Sequence, residues 1–422
     1  MKLLFYGINF TPELTGIGKY TGEMAEWLAA AGHDVRVITA PPYYPDWKVG
    51  EGYSTSSYRR ERWQGVEVWR TPLWVPARPG GLKRLVHLAS FALASLPALL
   101  AQWRWKPDVV WVVEPPLMCA PAAVAFAKLR GARSWLHVQD YEVDAAFDLG
   151  LIKGKALRGL VQAGERWLMR RFDRVSTISG RMLDLAARKG VDAQRRVSFP
   201  NWVDIDQIVP LTAASAYRQS LGLAADAVVA LYSGNMGNKQ GLEVLAETAR
   251  LCLPDPRIRF VFCGNGAGRE GLEQRCEGLA NVQFLPLQPL ERLGELLGLA
   301  DIHLLPQRAD AADLVMPSKL TGMLASGRAV LATALPEMEL GRVVAVEAAC
   351  GLIVPPEDPS AMAAALQKLA QDPALRERLG QAGRRYAERE LGRDQVLRRF
   401  EDQLRALTGA GMAAGADAKV AP

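Results

Sequence analysis

The sequence predicts an α/β protein built from two doubly wound, parallel-sheet domains in succession. Three observations lead there. Short apolar runs closed by Gly or Pro alternate with helical patterns along the chain. The alternation restarts after a looser stretch, roughly 204–225, that holds Pro210 and many Ala and Ser. The loops that follow the apolar runs carry clusters of Gly, Asn, Lys and Asp, the residues that parallel strands use to present ligands at their carboxyl ends.

The first set opens with KLLFYGI, a buried-strand pattern stopped at Gly7. Residues 16–31 read as a helix with Ile17, Tyr20, Met24, Trp27 and Leu28 on one face and Gly32 as its stop. HDVRVITA, GVEVWRTP, VVWVVEPP, SWLHVQD and RVSTIS supply the second to sixth strands, with helices between them and right-handed crossovers. The second set has AVVALYSG, RIRFVFCG, NVQFLPL, DIHLLPQ and RAVLAT as strands. Its helices are EVLAETARLC, the segments after Gly268 and Pro289, and SKLTGMLAS. The expected division is 1–205, 206–390, a charged C-terminal helix over 391–407 and a small, polar, disordered tail over 408–422. Two such sheets imply a cleft, with ligands at the strands' carboxyl ends.

Composition narrows the partners. The chain has 422 residues, 49% of them hydrophobic and 23% charged, enough for sizeable cores. A net charge of +6 suits nucleotides, phosphates or lipid headgroups. The absence of a dense Lys/Arg run argues against nucleic acid. Five scattered Cys without a CxxC pair indicate neither a disulfide framework nor zinc, and fit small core hydrophobes in a reducing cytoplasm. MKLLFYGINF runs into a turn rather than a cleavage site, so no signal peptide is expected.

Residues 82–106 stand apart. A long apolar body is flanked by Lys83 and Arg84 on one side and by Trp103, Arg104, Trp105 and Lys106 on the other, with Pro97 inside. Two readings stay open: a buried crossover helix, or an interfacial helix on the cytoplasmic membrane surface, whose Trp and cationic flanks sit at the headgroups.

Five strand-end loops carry candidate chemistry. In TPELTGIGKY, Gly16 and Gly18 allow close backbone approach at a helix start and Lys19 adds charge; an ordinary helix start fits equally well. YSGNMGNKQGLE sets Gly234, Gly237 and Gly241 among Asn235, Asn238, Lys239 and Gln240, a phosphate or sugar cradle. CGNGAGRE places Gly264, Gly266 and Gly268 at a strand-to-helix turn, but in the second strand of its sheet, where a dinucleotide fingerprint does not belong. HVQDYEVD puts His137 and Gln139 on one strand face and Asp140 at the tip, followed by Glu142. Finally, Pro317-Ser318-Lys319 opens a small-residue helix: Ser318 is expected to cap it, and Lys319, with Arg308 from the preceding loop, to pair with an anion held there.

These motifs, in the order GIGKY, PNWVD, SGNMG…QGLE, CGNG, ADIHLLP and PSK…LASGRAVLAT, closely resemble family-4 glycosyltransferases of the GT-B fold. HVQDYEVDAA and FPNWVD carry a narrower resemblance to the colanic acid (exopolysaccharide) biosynthesis type. The resemblance implies retaining transfer from a nucleotide-sugar donor on the C-terminal domain to an acceptor, here a lipid-linked glycan, on the N-terminal one, with no metal or other cofactor. It places Asp140, Lys239, Lys319 and Arg308 in catalysis. Gly16, Gly18, Lys19, Gly234, Asn235, Gly237, Gln240, Gly264, Gly266, Pro317 and Ser318 fall to the donor, and His137, Gln139 and Glu142 to the acceptor side. The sequence departs from the wider family in two places. Asn235 and Gln240 stand where Arg and Lys are usual, with Lys239 one step away. The family's paired Glu fall near Asp313 or Leu314 and near Gly322, so Pro317-Ser318-Lys319 reads as a substitute. The family's strand-end His falls at Gln139. An epimerase or hydrolase acting through Glu114, Asp140 or Glu142, and a noncatalytic sugar-nucleotide binder, are the competing readings.

Overall fold

The computed structural model describes residues 1–77, 80–143, 155–237, 240–309 and 317–409. The chain divides into two compact units, Met1–Pro200 joined by the chain from Leu397 onward, and Asn201–Val396.

In the first unit the strands are β1 (Lys2–Tyr6), β2 (Asp34–Thr39), β3 (Arg59–Trp63), β4 (Val66–Arg70), β5 (Val109–Glu114), β6 (Arg133–Val138), β7 (Arg174–Thr177) and β8 (Arg196–Ser198). They form one sheet in the order β3-β4-β2-β1-β5-β6-β7-β8. All neighbours run parallel except β3 and β4. β1 pairs with β2 on one side and β5 on the other, so the winding reverses there. The carboxyl ends of β1 and β5 therefore flank a switch point, where doubly wound sheets place ligands.

The six expected strands are present; β3 and β8 are additions. β3 reads RRERW and buries no residue fully, so it has no apolar period to detect. It forms because Gln64 and Gly65 both take positive φ, 44° and 85°, which closes a two-residue hairpin onto β4. From Leu397 on, the last helix (Arg393–Thr408) completes this unit's core. Phe400 stacks on Phe199 at 4.5 Å and meets Trp135 edge-on at 5.1 Å. Glu401 Oε1 lies 2.9 Å from His33 Nε2.

The second unit holds β9 (Val228–Ser233), β10 (Ile258–Cys263), β11 (Val282–Leu285), β12 (Ile302–Leu305), β13 (Ala329–Thr333) and β14 (Gly351–Val354). Its sheet runs β11-β10-β9-β12-β13-β14, all parallel, and reverses at β9 between β10 and β12. β14 is the strand the sequence pattern did not single out: it has four residues, two of them half-buried. The helices Glu243–Leu251 and Pro359–Gln371 cover the apolar face of this sheet, around Phe260, Phe262 and Leu366.

The stretch 204–225 is not a free connection. It lies within the second unit, with Ile208 and Tyr217 buried and a short helix at Ala216–Ser220. Arg384 fastens it by donating to the carbonyls of Ile208 (2.6 Å) and Ile205 (3.0 Å). Its Ala- and Ser-rich composition hid the few apolar anchors that pack.

Residues Gly81–Arg104 form one 24-residue helical run, long and apolar enough to cross a bilayer by length and composition alone. Both faces anticipated for the 82–106 segment exist. His87, Leu88, Phe91, Ser95, Leu99 and Gln102 are buried, while Leu82, Val86, Leu93, Leu100 and Trp103 are exposed. Pro97 sits in the first turn of the second helical piece, Leu96–Ala101, where its missing N–H costs nothing. All five Cys are buried and unpaired. Burial pushes their thiols up, Cys119 to about 12, so they behave as small hydrophobes.

Candidate active site

The second unit's polar loops meet at the carboxyl ends of β9, β10 and β12. After β9, Gly234 takes φ 124°; after β10, Gly264 and Gly266 take 145° and 148°. The two loops interlock: Gly234 N–H donates to Cys263 O (3.0 Å), Met236 N–H to Asn265 O (2.8 Å) and Gly268 N–H to Met236 O (2.7 Å). A Cβ on Gly264 would run into Gly234 O, and one on Gly266 would lie 2.6 Å from Met236 O. These glycines are thus required first by each other, since backbone packs on backbone with no space for a side chain.

Lys319 closes on this pair. Its Nζ donates to Tyr232 Oη at 3.0 Å and sits 4.2 Å from the Tyr232 ring centre. Tyr232 Oη in turn donates to Asn235 O at 2.6 Å. A Cβ on Gly234 would only touch Lys319 Nζ, at 3.7 Å, so it is the φ of 124° that calls for glycine there. Burial pulls the Lys319 pKa from 10.5 down to about 8. Among the described residues no carboxylate lies within ion-pairing distance of it. A desolvated ammonium held by a hydroxyl and a ring is chemically suited to an anionic ligand.

Other residues that the sequence singled out lie along the loops after β9 and β12. Arg308 lies against Gly241, its Cγ 3.1 Å from where a Cβ would be. The residue before it, Gln307, is locked to β13 through Thr333, whose Oγ1 accepts from Gln307 N–H (2.7 Å) and donates to Gln307 O (2.8 Å). Gln240 Oε1 lies 2.8 Å from a Cβ position on Gly237, near Asn235 Nδ2. Lys239 lies outside the described residues. Ser318 corrects the sequence reading. It has helical φ/ψ (−58°, −25°) and makes no side-chain cap bond, because a capping side chain reaches back only from an extended residue. Instead Thr321 Oγ1 donates to Ser318 O (2.9 Å) and Leu320 N–H to Pro317 O (3.0 Å). The helix Lys319–Ala325 is seven residues long, so the charge at this point comes from Lys319 rather than from a strong helix dipole.

In the first unit, polar groups collect at the carboxyl ends of β1, β5 and β6. Glu13, 5% exposed, accepts from Tyr43 N–H and Tyr44 N–H (3.0 Å each) and from Asn9 Nδ2 (2.9 Å). Arg70, fully buried, donates to Thr11 O (2.6 Å), Ala40 O (2.9 Å) and Glu61 (2.6 Å). Together they pin the loop that precedes the helix Gly16–Ala30. Gly18 is glycine because a Cβ would lie 2.5 Å from Glu13 Oε2. Gly16, at φ 60°, faces Tyr44, and Lys19 pairs with Glu23 at 3.8 Å along the helix. For Gly18 and Lys19 the structural reading of GIGKY accounts for the residues.

His137 lies in the core. Its ring stacks on Trp111 at 5.3 Å, its Nδ1 is 2.8 Å from Ser176 Oγ, and its Nε2 is 3.0 Å from Gln139 Nε2. Burial holds it neutral, its pKa down at about 3. It is 2% exposed, and the Gln139 bonded to it is half-buried. Asp140 is half-buried and acts through its charge on Tyr44 and Glu142. Glu142 accepts from Leu117 N–H at 2.9 Å. Arg84, on the helix Gly81–Ala94, acts on Tyr43, Tyr44 and Glu142 in turn. Glu13, Arg70 and Tyr232 escaped the sequence reading, which marks Arg84 only as a flank of the apolar segment. Glu13 sits inside the TPELTGIGKY loop among more telling residues, Arg70 and Tyr232 lie toward the ends of apolar strands, and only tertiary contact shows what each of them holds.

Two doubly wound parallel-sheet units in succession are the plan of the GT-B glycosyltransferases. Residues 15–202 match the glycosyl transferase 4-like domain and residues 214–386 the glycosyl transferases group 1 family, and the chain belongs to these glycosyltransferases. It is 47% identical over 96% of its length, and 100% of the relative's, to the colanic acid biosynthesis glycosyl transferase WcaI of Escherichia coli K12. Among solved structures it resembles sucrose-phosphate synthase from Thermosynechococcus elongatus (TM-score 0.72, 19% identity, 97% of this chain and 99% of that one). It also resembles Anabaena HepE in complex with UDP (TM-score 0.70, 13% identity, 96% and 100%).

Proposed function

We propose that this glycosyltransferase moves a sugar, with retention, from a nucleoside-diphosphate donor held by the second unit to a hydroxyl of a lipid-linked glycan held by the first, in exopolysaccharide assembly at the inner face of the cytoplasmic membrane. The observation that carries the donor side is Lys319: a partly desolvated ammonium with no carboxylate at ion-pairing distance among the described residues, set where the β9 and β12 loops meet. As the bond from the anomeric carbon to the diphosphate oxygen breaks, negative charge grows on the leaving group. A fixed cation in a water-poor place stabilises that charge without having to reorganise. Arg308 supplies a second positive charge beside it. The acceptor oxygen bonds to the anomeric carbon as its proton passes to the departing phosphate oxygen on the same face. Asp140, Glu142 and Gln139 orient the acceptor's hydroxyls. The charge relief comes from side chains, so no divalent ion is required.

The membrane part of the reading rests on the exposed row Leu82, Val86, Leu93, Leu100 and Trp103, with Lys83, Arg84 and Arg104 beside it. The WcaI relative's role in colanic acid synthesis supports an exopolysaccharide product, and the HepE complex with UDP supports a nucleotide donor. The test is incubation with UDP-, GDP- and dTDP-sugars, with and without membrane lipid extract. Nucleotide release that depends on the extract, and persists in EDTA, supports the proposal. Acceptor-free conversion of the donor points to an epimerase or hydrolase, and binding without turnover to a noncatalytic protein.

A further inference from the structure

Glu114 ends β5 with no exposure, and the proposed transfer does not use it. It nevertheless holds the turn that carries Gln139, Asp140 and Glu142. Its main-chain carbonyl accepts from Gln139 N–H at 3.0 Å, and its Oε1 accepts from Glu142 N–H at 3.2 Å. Its Oε2 has no hydrogen-bond partner among the described residues.

Three carboxyl groups act on one another here: Glu114, Glu142 on the turn, and Glu165 on the helix Lys155–Met169. Two cations oppose them. Lys189 Nζ is bonded to Glu165, and Arg84 acts on Glu142, which also feels Asp140. Lys189 reaches Glu114 only through space, and the neighbouring Cys119 thiol stays neutral. A third buried anion would face two others with no bonded cation of its own among the described residues, and binding a proton relieves that more cheaply than ionisation does.

We propose that Glu114 is a positioning residue that carries a proton at neutral pH and, as the neutral acid, fastens the 139–142 turn to the end of β5. The neutral form still accepts from Glu142 N–H. Burial and those two carboxylates hold the Glu114 carboxyl well above the usual range, against the opposing pull of Glu142 N–H and Lys189. When it does ionise, at alkaline pH, the added charge loosens the turn. The functional consequence, weaker acceptor binding, rests on the reading that this turn faces the acceptor.

The experiment compares the full chain with Glu114→Gln and Glu114→Ala. One readout is the infrared carbonyl band of a protonated carboxylic acid at pH 7. The others are acceptor and donor KM across the neutral to alkaline range. The wild type should show the band and Glu114→Gln should lack it. Glu114→Gln, an isostere of the neutral acid, should keep the wild-type acceptor KM at pH 7 and abolish its alkaline rise. Glu114→Ala should raise the acceptor KM about tenfold and leave the donor KM unchanged. A wild type without the band, a Glu114→Gln that behaves like Glu114→Ala at pH 7, or a Glu114→Ala with normal acceptor KM overturns the proposal. If turnover proves independent of any acceptor, the functional reading has failed separately. Amide exchange of 139–142 then decides Glu114 alone: faster exchange in Glu114→Ala than in wild type or Glu114→Gln sustains it, and unchanged exchange overturns it.

Discussion

Lys319 holds its charge against its surroundings, and two opposite pH trends follow. Its folded-state pKa, about 8, lies below the unfolded 10.5, so the unfolded chain binds more protons between those values. The penalty that Lys319 places on folding is therefore full below pH 8 and relieved as pH rises toward 10.5. Anion binding runs the other way, because it needs the ammonium. UDP affinity by calorimetry should fall about tenfold between pH 7 and pH 9, where the nucleotide's own phosphates no longer titrate. Lys319→Met should weaken UDP about 10- to 150-fold, the loss of one charge-assisted hydrogen bond, while the melting temperature holds or rises. Unchanged affinity in that variant removes Lys319 from the site. The sequence pointed at Lys319 because a cation beside a strand-end loop is unusual punctuation. It could not show that Tyr232 is the residue that seats it, since Tyr232 reads as one more apolar position in YSG. Nor could it show that Gly18 answers to Glu13 five residues earlier: a glycine needed by a ligand and one needed by a neighbouring carboxylate are spelled alike.

At the level of elements, the interlocked β9 and β10 loops behave as one unit. Gly264→Ala places a Cβ on Gly234 O at a φ of 145°. It should cost about 2–5 kcal/mol in urea unfolding, from backbone strain plus overpacking, and should weaken UDP binding in the fraction that remains folded. The helical run Gly81–Arg104 makes a separable claim. Replacing Leu82, Leu93 and Leu100 with Ser should release the protein from anionic vesicles in a sedimentation assay. The melting temperature should change little, because these side chains are mostly exposed. Loss of the fold instead would mean that the face is covered. Strands with a buried face were legible from their apolar runs. β3 was not, because its stability lies in ladder hydrogen bonds and a hairpin turn rather than in side-chain burial, and β14 is too short to establish a period.

For the whole molecule, the two-unit α/β plan was legible because a parallel sheet buried on both faces writes itself as repeated apolar runs. The boundary was less so: composition marked 204–225 as a connection, whereas Arg384, 176 residues from Ile208, fastens it inside the second unit. The true donor should raise the melting temperature, by about 2.7 kcal/mol of added stability at a hundredfold excess over Kd, and the ranking of UDP-, GDP- and dTDP-sugars by that shift identifies it.

The place of Phe400 also bears on how the chain is made. Met1–Pro200 leaves the ribosome first but lacks the ring that stacks on Phe199 until Leu397 and its successors emerge. At 5–20 residues per second, synthesis of the intervening Asn201–Val396 takes roughly 10–40 s. For that interval the nascent N-terminal half lacks the ring that covers Trp111, Trp135 and Phe199, and that aromatic surface is closed only when the end of the chain arrives.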